Sequence, residues 1–100
     1  MVDLDQISGF DWDDGNARKS IEKHGVDRTE AEQVFFNVPL LLMEDMRHST
    51  TEKRFHAYGR SNDGRLLQVS FTLRQMGTRI RVISARPMHR KERTRYDEET

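Results

Sequence analysis

Side chains that could cleave a phosphodiester bond occur together in the second half of the chain. His48, Glu52 and His56 could give and take protons, and nearby arginines could stabilise the charge of a pentacovalent phosphate. Cleavage of RNA by its own 2′-hydroxyl needs a base, an acid and a cation, and it needs no metal ion. The four histidines have no metal-ligand spacing, so we predict no metal site and no cofactor.

The charged side chains are divided unequally between the two halves, although the formal net charge is zero. Residues 1–46 hold 4 basic and 11 acidic side chains, whereas residues 47–96 hold 13 basic and 3 acidic ones. Most of the 13 are arginines, which bind phosphate through a planar pair of N–H donors. The asymmetry predicts a polyanionic partner for the second half. The alternative is a solvated, arginine-rich surface that pairs with the acidic half.

Length and composition indicate a small cytoplasmic protein with one domain, residues 1–100. The absence of cysteine excludes disulfides, thiol catalysis and cysteine-based zinc sites, and it fits a reducing compartment. The longest apolar run, residues 38–43, is too short to span a membrane. The acidic N-terminal segment lacks the basic region of a secretory signal.

Two helices are predicted near the N-terminus. Asp13 or Asp14 can cap the first, which runs to Lys23 or His24 and stops at Gly25. Its expected buried stripe is Ala17, Ile21 and His24. The second helix begins at a capping box and ends before Pro39. The two candidate boxes are Asp27 with Glu30 and Thr29 with Glu32, and the expected buried stripe is Ala31, Val34 and Phe35.

The remaining pattern predicts an antiparallel sheet followed by a last helix. Phe10 and Trp12 alternate as a short strand or a hydrophobic anchor would, and the main strands are expected at residues 40–44, 53–61, 65–73 and 78–85. The connections between these four are too short for helical crossovers, so a meander is expected. The fold class is therefore α+β, with the two N-terminal helices packed on the apolar face of the sheet.

Strand alternation predicts that the opposite face is polar and basic. It should present Arg54, His56, Tyr58, Arg60, Arg79 and Arg81. In the last strand, strict alternation sets Ile80, Val82 and Ser84 against Arg79, Arg81, Ile83 and Ala85. Guanidinium groups with Tyr and His rings suit RNA, whose phosphates pair with arginine and whose bases stack on flat side chains.

Each candidate residue also has a structural interpretation. His48 and His56 could be hydrogen-bonded surface histidines, and Glu52 could pair with Arg54 or a neighbouring strand. Tyr96 is expected to pin the last helix by packing. Arg81 and Arg86 are stronger candidates for charge stabilisation, because they lie at or beside the end of a core strand.

Several segments together resemble the BrnT family, the toxins of BrnT/BrnA type II toxin–antitoxin systems. They are "FDWDDGNARKSIEKHGV", "EAEQVFFN", "EDMRH", "EKRFHAYGRSNDGRLLQVSFTLR" and "RIRVISARPMHRKERTRY". The most specific pieces are the Trp-Asp start, Lys23-His24-Gly25, and residues 81–86 followed by Glu92 and Tyr96. The likeness covers residues 10–96, which we take as the core of the domain, with acidic ends expected to be mobile.

The resemblance implies a RelE-like fold and a metal-independent ribonuclease that arrests translation. It also implies a BrnA-like antitoxin with a ribbon-helix-helix domain, which would bring the pair to operator DNA, and it leaves room for a toxin dimer in that complex. The functional positions that it implies are Glu52, Arg54, Arg74, Arg81, Arg86 and, less directly, His48. Arg74 joins His56, Tyr58, Arg60 and Arg79 as a candidate for RNA binding.

Two other functions fit the same residues. A non-catalytic module could bind RNA or an acidic protein with the basic face and leave the RNA intact. An interaction protein could carry the basic half mainly to be covered by an antitoxin.

Overall fold

The structure is a computed structural model that describes residues 2–49 and 51–100. Its α-helices in these ranges are α1 (Asp14–His24), α2 (Arg28–Gln33) and α3 (Arg90–Glu99). Short 3₁₀ turns lie at Leu4–Gln6 and Val34–Phe36. Its strands are β1 (Gly9–Trp12), β2 (Leu41–Glu44), β3 (Arg54–Arg60), β4 (Leu66–Arg74) and β5 (Arg79–Pro87).

The strands form one mixed sheet in the order β1-β5-β4-β3-β2. Strands β2 to β5 are antiparallel neighbours, as their short connections predict. Strand β1 instead pairs in parallel with β5, so the prediction of a purely antiparallel sheet is wrong at this edge. Most of the chain separates β1 from β5, and no tight turn therefore fixes their relative direction.

The ends of α1 follow the predicted capping pattern. The side chain of Asp13 accepts a hydrogen bond from the backbone N–H of Asn16 at 3.2 Å. Gly25 ends the helix with φ 64°, a left-handed conformation that residues with a Cβ adopt only at a cost.

The buried side of α1 differs from the prediction. Ala17 and Ser20 are buried, whereas Ile21 is 50% exposed and His24 is exposed, so the predicted stripe is wrong at two of its three positions. Small side chains face the sheet because α1 lies close against β5. The hydroxyl of Ser20 accepts a hydrogen bond from the backbone N–H of Ala85 at 3.1 Å.

The second helix is shorter than predicted but keeps its predicted buried stripe. Asp27 accepts a hydrogen bond from the backbone N–H of Glu30 at 2.8 Å, which selects the first of the two candidate caps. The α-helix ends at Gln33, and a 3₁₀ turn continues to Phe36. Ala31, Val34 and Phe35 are all buried.

The core lies between one face of the sheet and the segment formed by α1, α2 and the second 3₁₀ turn. The ring of Phe71 stacks on Phe55 with centroids 5.5 Å apart and meets Phe35 edge-on at 5.2 Å. The buried residues of the core also come from β3, β4 and β5, whereas β1 and β2 contribute half-buried side chains. Burial of this apolar area is the main stabilising contribution to such a small domain.

A bulge in β5 changes which residues face the core. Phe71 pairs with Val82 and Ser70 with Ser84, so Ile83 is the extra residue between them. After this point Ala85 pairs with Val69 on the core side and is fully buried. The predicted placement of Ser84 with the core residues and Ala85 opposite them is therefore wrong.

Among residues 2–49 and 51–100, no helix is long and apolar enough to cross a membrane.

Candidate functional site on the polar face of the sheet

The face of the sheet opposite the core, called the polar face here, presents side chains in three cross-strand rows. Residues paired directly on neighbouring strands point to the same face. The first row is Asp11, Arg81, Thr72 and Arg54; the second is Ser84, Ser70, His56 and Met43; the third is Arg86, Gln68, Tyr58 and Leu41. Arg54, His56 and Tyr58 therefore share one face, as strand alternation predicts.

Asp45, directly after β2, holds two histidines through one carboxylate oxygen. Its Oδ2 lies 2.8 Å from Nδ1 of His48 and 3.0 Å from Nε2 of His56. The Asp45 side chain is only 9% exposed, so little water competes for these contacts. An ionised carboxylate only accepts hydrogen bonds, and each ring must therefore donate an N–H to it.

The two histidines differ in the nitrogen that remains available. Nδ1 of His56 lies 2.8 Å from Oγ of Ser70, so both ring nitrogens of His56 are engaged. His48 donates from Nδ1, which leaves the lone pair on Nε2. Within the described residues that nitrogen has no partner, and the side chain is 60% exposed. His48 is thus placed to accept a proton from a ligand.

Burial and hydrogen bonding set the charges of this network. Burial alone would raise the pKa of Asp45, but the hydrogen bond from His48 and the charges of His56 and His48 hold that pKa below its usual value. The pKa of His56 is also lowered, because burial disfavours the imidazolium more than Asp45 stabilises it. At neutral pH the network therefore contains a carboxylate and a neutral His56.

Hydrogen bonds of the backbone and of the Ser49 hydroxyl attach the turn of His48 to Arg54 of the first row. The N–H of Asp45 donates to the carbonyl of Arg54 at 2.7 Å. The N–H of Arg54 donates to the hydroxyl of Ser49 at 3.0 Å, and this hydroxyl donates to the carbonyl of Asp45 at 2.6 Å. His48 lies between Asp45 and Ser49, so the bonds that close the turn attach the segment carrying His48 to the backbone of Arg54, at one end of the first row.

The arginines of the polar face fall into two groups. Three are engaged in ion pairs: Arg74 with Glu52, Arg79 with Asp11 at 2.8 Å, and Arg86 with Glu92 at 2.8 Å. Arg81 comes no nearer than 4.0 Å to Asp13 and is 34% exposed, and the Arg54 side chain makes no ion pair in the described part of the chain. The guanidinium groups of the first row are therefore free to take a phosphate.

The C-terminal helix covers the third row, so the polar face is only partly open. Glu92 accepts hydrogen bonds from both terminal nitrogens of Arg86, at 2.8 and 2.9 Å, and from the backbone N–H of His89 at 2.8 Å. Tyr96 is 1% exposed, and its hydroxyl donates to the carbonyl of Pro39 at 2.5 Å. The packing interpretation of Tyr96 is thereby confirmed.

Replacing Glu92 by glutamine is expected to lower the free energy of unfolding at pH 7 by about 1–2 kcal/mol, since the partly exposed bidentate pair is lost. Burial raises the pKa of Glu92, but hydrogen bonds from Arg86 and the His89 backbone bring it below 4.5. The pair therefore contributes fully above pH 4.5, and its contribution is lost as the pH falls through the folded-state pKa.

Urea unfolding of wild type and Glu92→Gln from pH 7 to pH 3 measures this difference, which should shrink in acid. Glu98→Gln is the matched control, because Glu98 lies on the same helix and makes no ion pair among the described residues. A difference that stays constant down to pH 3 would contradict an ionic role for Glu92.

The first row also contains a buried hydroxyl that lacks a partner in the described part of the chain. Oγ1 of Thr72, between Arg54 and Arg81, has no hydrogen bond to any described residue. Thr72→Val is therefore expected to leave the free energy of unfolding unchanged or to raise it by up to about 1 kcal/mol. Thr78→Val is the control, because it gives up a 2.8 Å bond to the Gln75 carbonyl and should be destabilising. Chemical denaturation of both variants measures the contrast, and a clear loss in Thr72→Val would show a partner for this hydroxyl.

A family model for the ribonuclease toxin BrnT of type II toxin–antitoxin systems matches residues 12–92. The chain belongs to the BrnT family. The match contains every member of the three rows except Asp11, together with the Asp45 turn and Glu92. The resemblance inferred from the sequence motifs is confirmed, and membership in a family of toxins implies an antitoxin partner.

The chain is also similar in structure to the Brucella abortus ribonuclease toxin BrnT, whose crystal structure was determined at 1.1 Å resolution. The TM-score is 0.61 at 21% sequence identity, over 82% of this chain and 97% of that chain. At this identity the likeness shows the fold alone, a mixed α+β domain of the BrnT type. The likeness to RelE stays a prediction. No curated protein matches the chain in sequence.

The fold of this BrnT-family chain brings together some of the predicted residues and separates others. Arg54, Arg81, His48 and His56 lie around the first two rows, and Tyr58 and Arg86 lie in the third. The pair of Glu52 and Arg74 lies beyond the first row, and so does Arg79, which forms its ion pair with Asp11 at the end of that row. Arg60 is exposed at the far end of β3, where it borders a pocket with Phe36 and Val38. Asp45 is not among the residues singled out from the sequence, although its i,i+3 spacing to His48 is a signal for a pair.

In the part of the chain that the structure describes, no cluster of three or more His, Asp or Glu side chains could hold a metal ion.

Proposed function

We propose that this chain is an endoribonuclease toxin that cuts RNA without a metal ion at the first two rows of the polar face. One observation carries the proposal. The carboxylate of Asp45, whose side chain is 9% exposed, orients His48 so that one ring nitrogen stays free. Hydrogen bonds attach the turn that carries His48 to Arg54, which shares the first row with Arg81, and neither arginine makes a close ion pair within the described residues. A base held by a carboxylate and cations without a close partner are two of the three components that transfer of a phosphodiester to a neighbouring hydroxyl needs, and water can supply the acid.

In the proposed reaction the scissile phosphate lies over the first row, between the guanidinium groups of Arg54 and Arg81. His48 takes the proton of the adjacent 2′-hydroxyl, and that oxygen attacks phosphorus. Arg54 and Arg81 neutralise the additional negative charge of the pentacovalent phosphate. The 5′-oxygen takes a proton from water as its bond to phosphorus breaks, and it leaves as a hydroxyl. His48 returns the proton of the 2′-hydroxyl to the hydroxide that remains, so the enzyme is regenerated. The products are a 2′,3′-cyclic phosphate and a 5′-hydroxyl.

The other predicted residues contribute to binding or to position. Asp45 and His56 are positioning residues, since they fix the ring of His48 through a shared oxygen. Tyr58 and Arg86 belong to the third row and are proposed to bind the RNA strand as it leaves the site. Glu52, implied as catalytic by the family resemblance, would act through Arg74, to which it is paired.

The proposed cellular role is arrest of translation by RNA cleavage in the cytoplasm. The proposed partner is a BrnA-like antitoxin with a ribbon-helix-helix domain. That antitoxin would connect the toxin, as one copy or as a dimer, to operator DNA. Family membership and the uneven charge of the chain support this assignment.

Expression of the chain without an antitoxin tests the proposal in cells. Growth should stop, and co-expression of the BrnA-like protein should restore it. Wild-type protein that neither slows growth nor cuts RNA would overturn the proposal. Salt-sensitive binding of RNA that is recovered intact would instead support the non-catalytic binding module.

A further inference from the structure

A pocket of about 260 Å³ lies where α3 meets the third row of the polar face. Leu41 and Tyr58 line it from β2 and β3, and Lys91, Glu92 and Arg95 line it from α3. None of the groups proposed above for bond cleavage lines this pocket. The pocket is therefore separate from the proposed cleavage position.

The charges around the pocket favour an anion. Glu92 is negative, but Arg86 and the His89 backbone already occupy its two oxygens. Lys91 and Arg95 are four residues apart and thus lie on the same side of α3. Arg95 reaches Glu99 at 3.2 Å, but both side chains are about half exposed and such surface pairs are weak. Two cations therefore remain for a phosphate.

The sheet side of the pocket suits a nucleobase. Tyr58 offers a flat ring, and Leu41 is its direct cross-strand neighbour. The hydroxyl of Tyr58 accepts a hydrogen bond from Nε2 of Gln68 at 3.3 Å, so its own proton remains available to donate. The ring centroids of Tyr58 and His56 are 6.2 Å apart, close enough for adjacent nucleotides of one strand to contact both.

We propose that this pocket is a subsite for an RNA nucleotide that lies one position beyond the two nucleotides flanking the cleaved bond. Its base lies against Tyr58 and Leu41, and its phosphate is held by Lys91 and Arg95. The RNA strand then crosses the rows from the open first row to α3. The inference rests on the proposed function, because it assumes that the first row holds the cleaved phosphate.

The test uses purified protein and a defined RNA whose main cleavage position has been mapped. The RNA is shortened one nucleotide at a time from either end, until only the two nucleotides that flank the cleaved bond remain. The value of kcat/KM is measured at each length. For wild type, removal of the nucleotide that reaches the pocket should lower kcat/KM on the order of tenfold, the scale of one stacked base. The Lys91→Gln/Arg95→Gln variant should cut the long RNA on the order of tenfold more slowly and lose little more when that nucleotide is removed.

The matched control is Arg90→Gln/Arg93→Gln, which removes the same charge from exposed positions of α3 outside the pocket. It should keep the length dependence of wild type. The subsite is refuted if both double variants behave alike, or if Lys91→Gln/Arg95→Gln keeps the full length dependence. Wild-type protein that cuts with no length dependence would also refute it, whereas wild-type protein that cuts no RNA would overturn the proposed function itself.

Discussion

Arg81→Ala is expected to lower the rate of RNA cleavage by about 100- to 1,000-fold, the usual cost of losing one group that stabilises transition-state charge. Arg81 lies in the first row, directly across from Thr72, and its nearest carboxylate is 4.0 Å away. Little of its charge is neutralised before RNA binds. Because no close ion pair is lost, the variant should unfold at nearly the wild-type temperature. Single-turnover cleavage of a defined RNA and thermal unfolding measure the two effects.

Arg18→Ala is the matched control for this prediction. Arg18 is an exposed residue of α1, the helix packed on the opposite, apolar face of the sheet. Its removal changes the net charge equally but should leave cleavage within about threefold of wild type, since surface charges away from a site act weakly. Equal losses in both variants would show that total charge, rather than the first row, governs activity.

The second large effect is expected for His48→Gln, which should lower the rate of the chemical step by about 100- to 10,000-fold. Glutamine can keep a hydrogen bond to Asp45, but it cannot take a proton. RNA binding should change little, because the charged first row is retained. Single-turnover rates at saturating protein separate this loss from a loss of affinity, and His24→Gln, at the exposed end of α1, is the control.

Asp45→Asn shows whether His48 acts through its carboxylate partner. The single variant should lower the rate, because an amide no longer fixes the His48 ring as an ionised carboxylate does. Combined with His48→Gln it should cost almost nothing further, since residues that act as one unit are not additive. If the two losses multiply instead, Asp45 acts on cleavage by another route.

Those parts of the fold that depend on nearby residues could be predicted from the sequence. Asp13 and Asp27 begin helices, and Gly25 ends one, because each acts within a single turn. The alternation of β3 was predicted correctly because it runs without a bulge from Phe55 to Gly59. The family was identified from motifs spread along most of the chain.

The parts that depend on tertiary register were not predictable in the same way. One extra residue at Ile83 moves Ala85 into the core and brings Arg86 onto the polar face, where strict alternation would have buried it. The pairing of β1 with β5 joins segments about 70 residues apart. Asp45 meets His56 only because β2 returns beside β3.

The same limit applies to the charged residues of the candidate site. Composition shows many arginines, but it does not show which of them are neutralised. Arg74, Arg79 and Arg86 each meet a carboxylate supplied by another part of the chain, whereas Arg54 and Arg81 meet none closely among the described residues. Which arginines can still bind a phosphate therefore depends on the folded arrangement and not on the number of arginines.

The most direct measurement is cleavage of a defined RNA by the purified chain in excess chelator, with both new ends identified. The mechanism at Asp45, His48 and the first row predicts cutting at an undiminished rate, with a 2′,3′-cyclic phosphate and a 5′-hydroxyl as the product ends. Cutting that stops in chelator and returns with a divalent metal ion, or products that carry a 3′-hydroxyl, would contradict it.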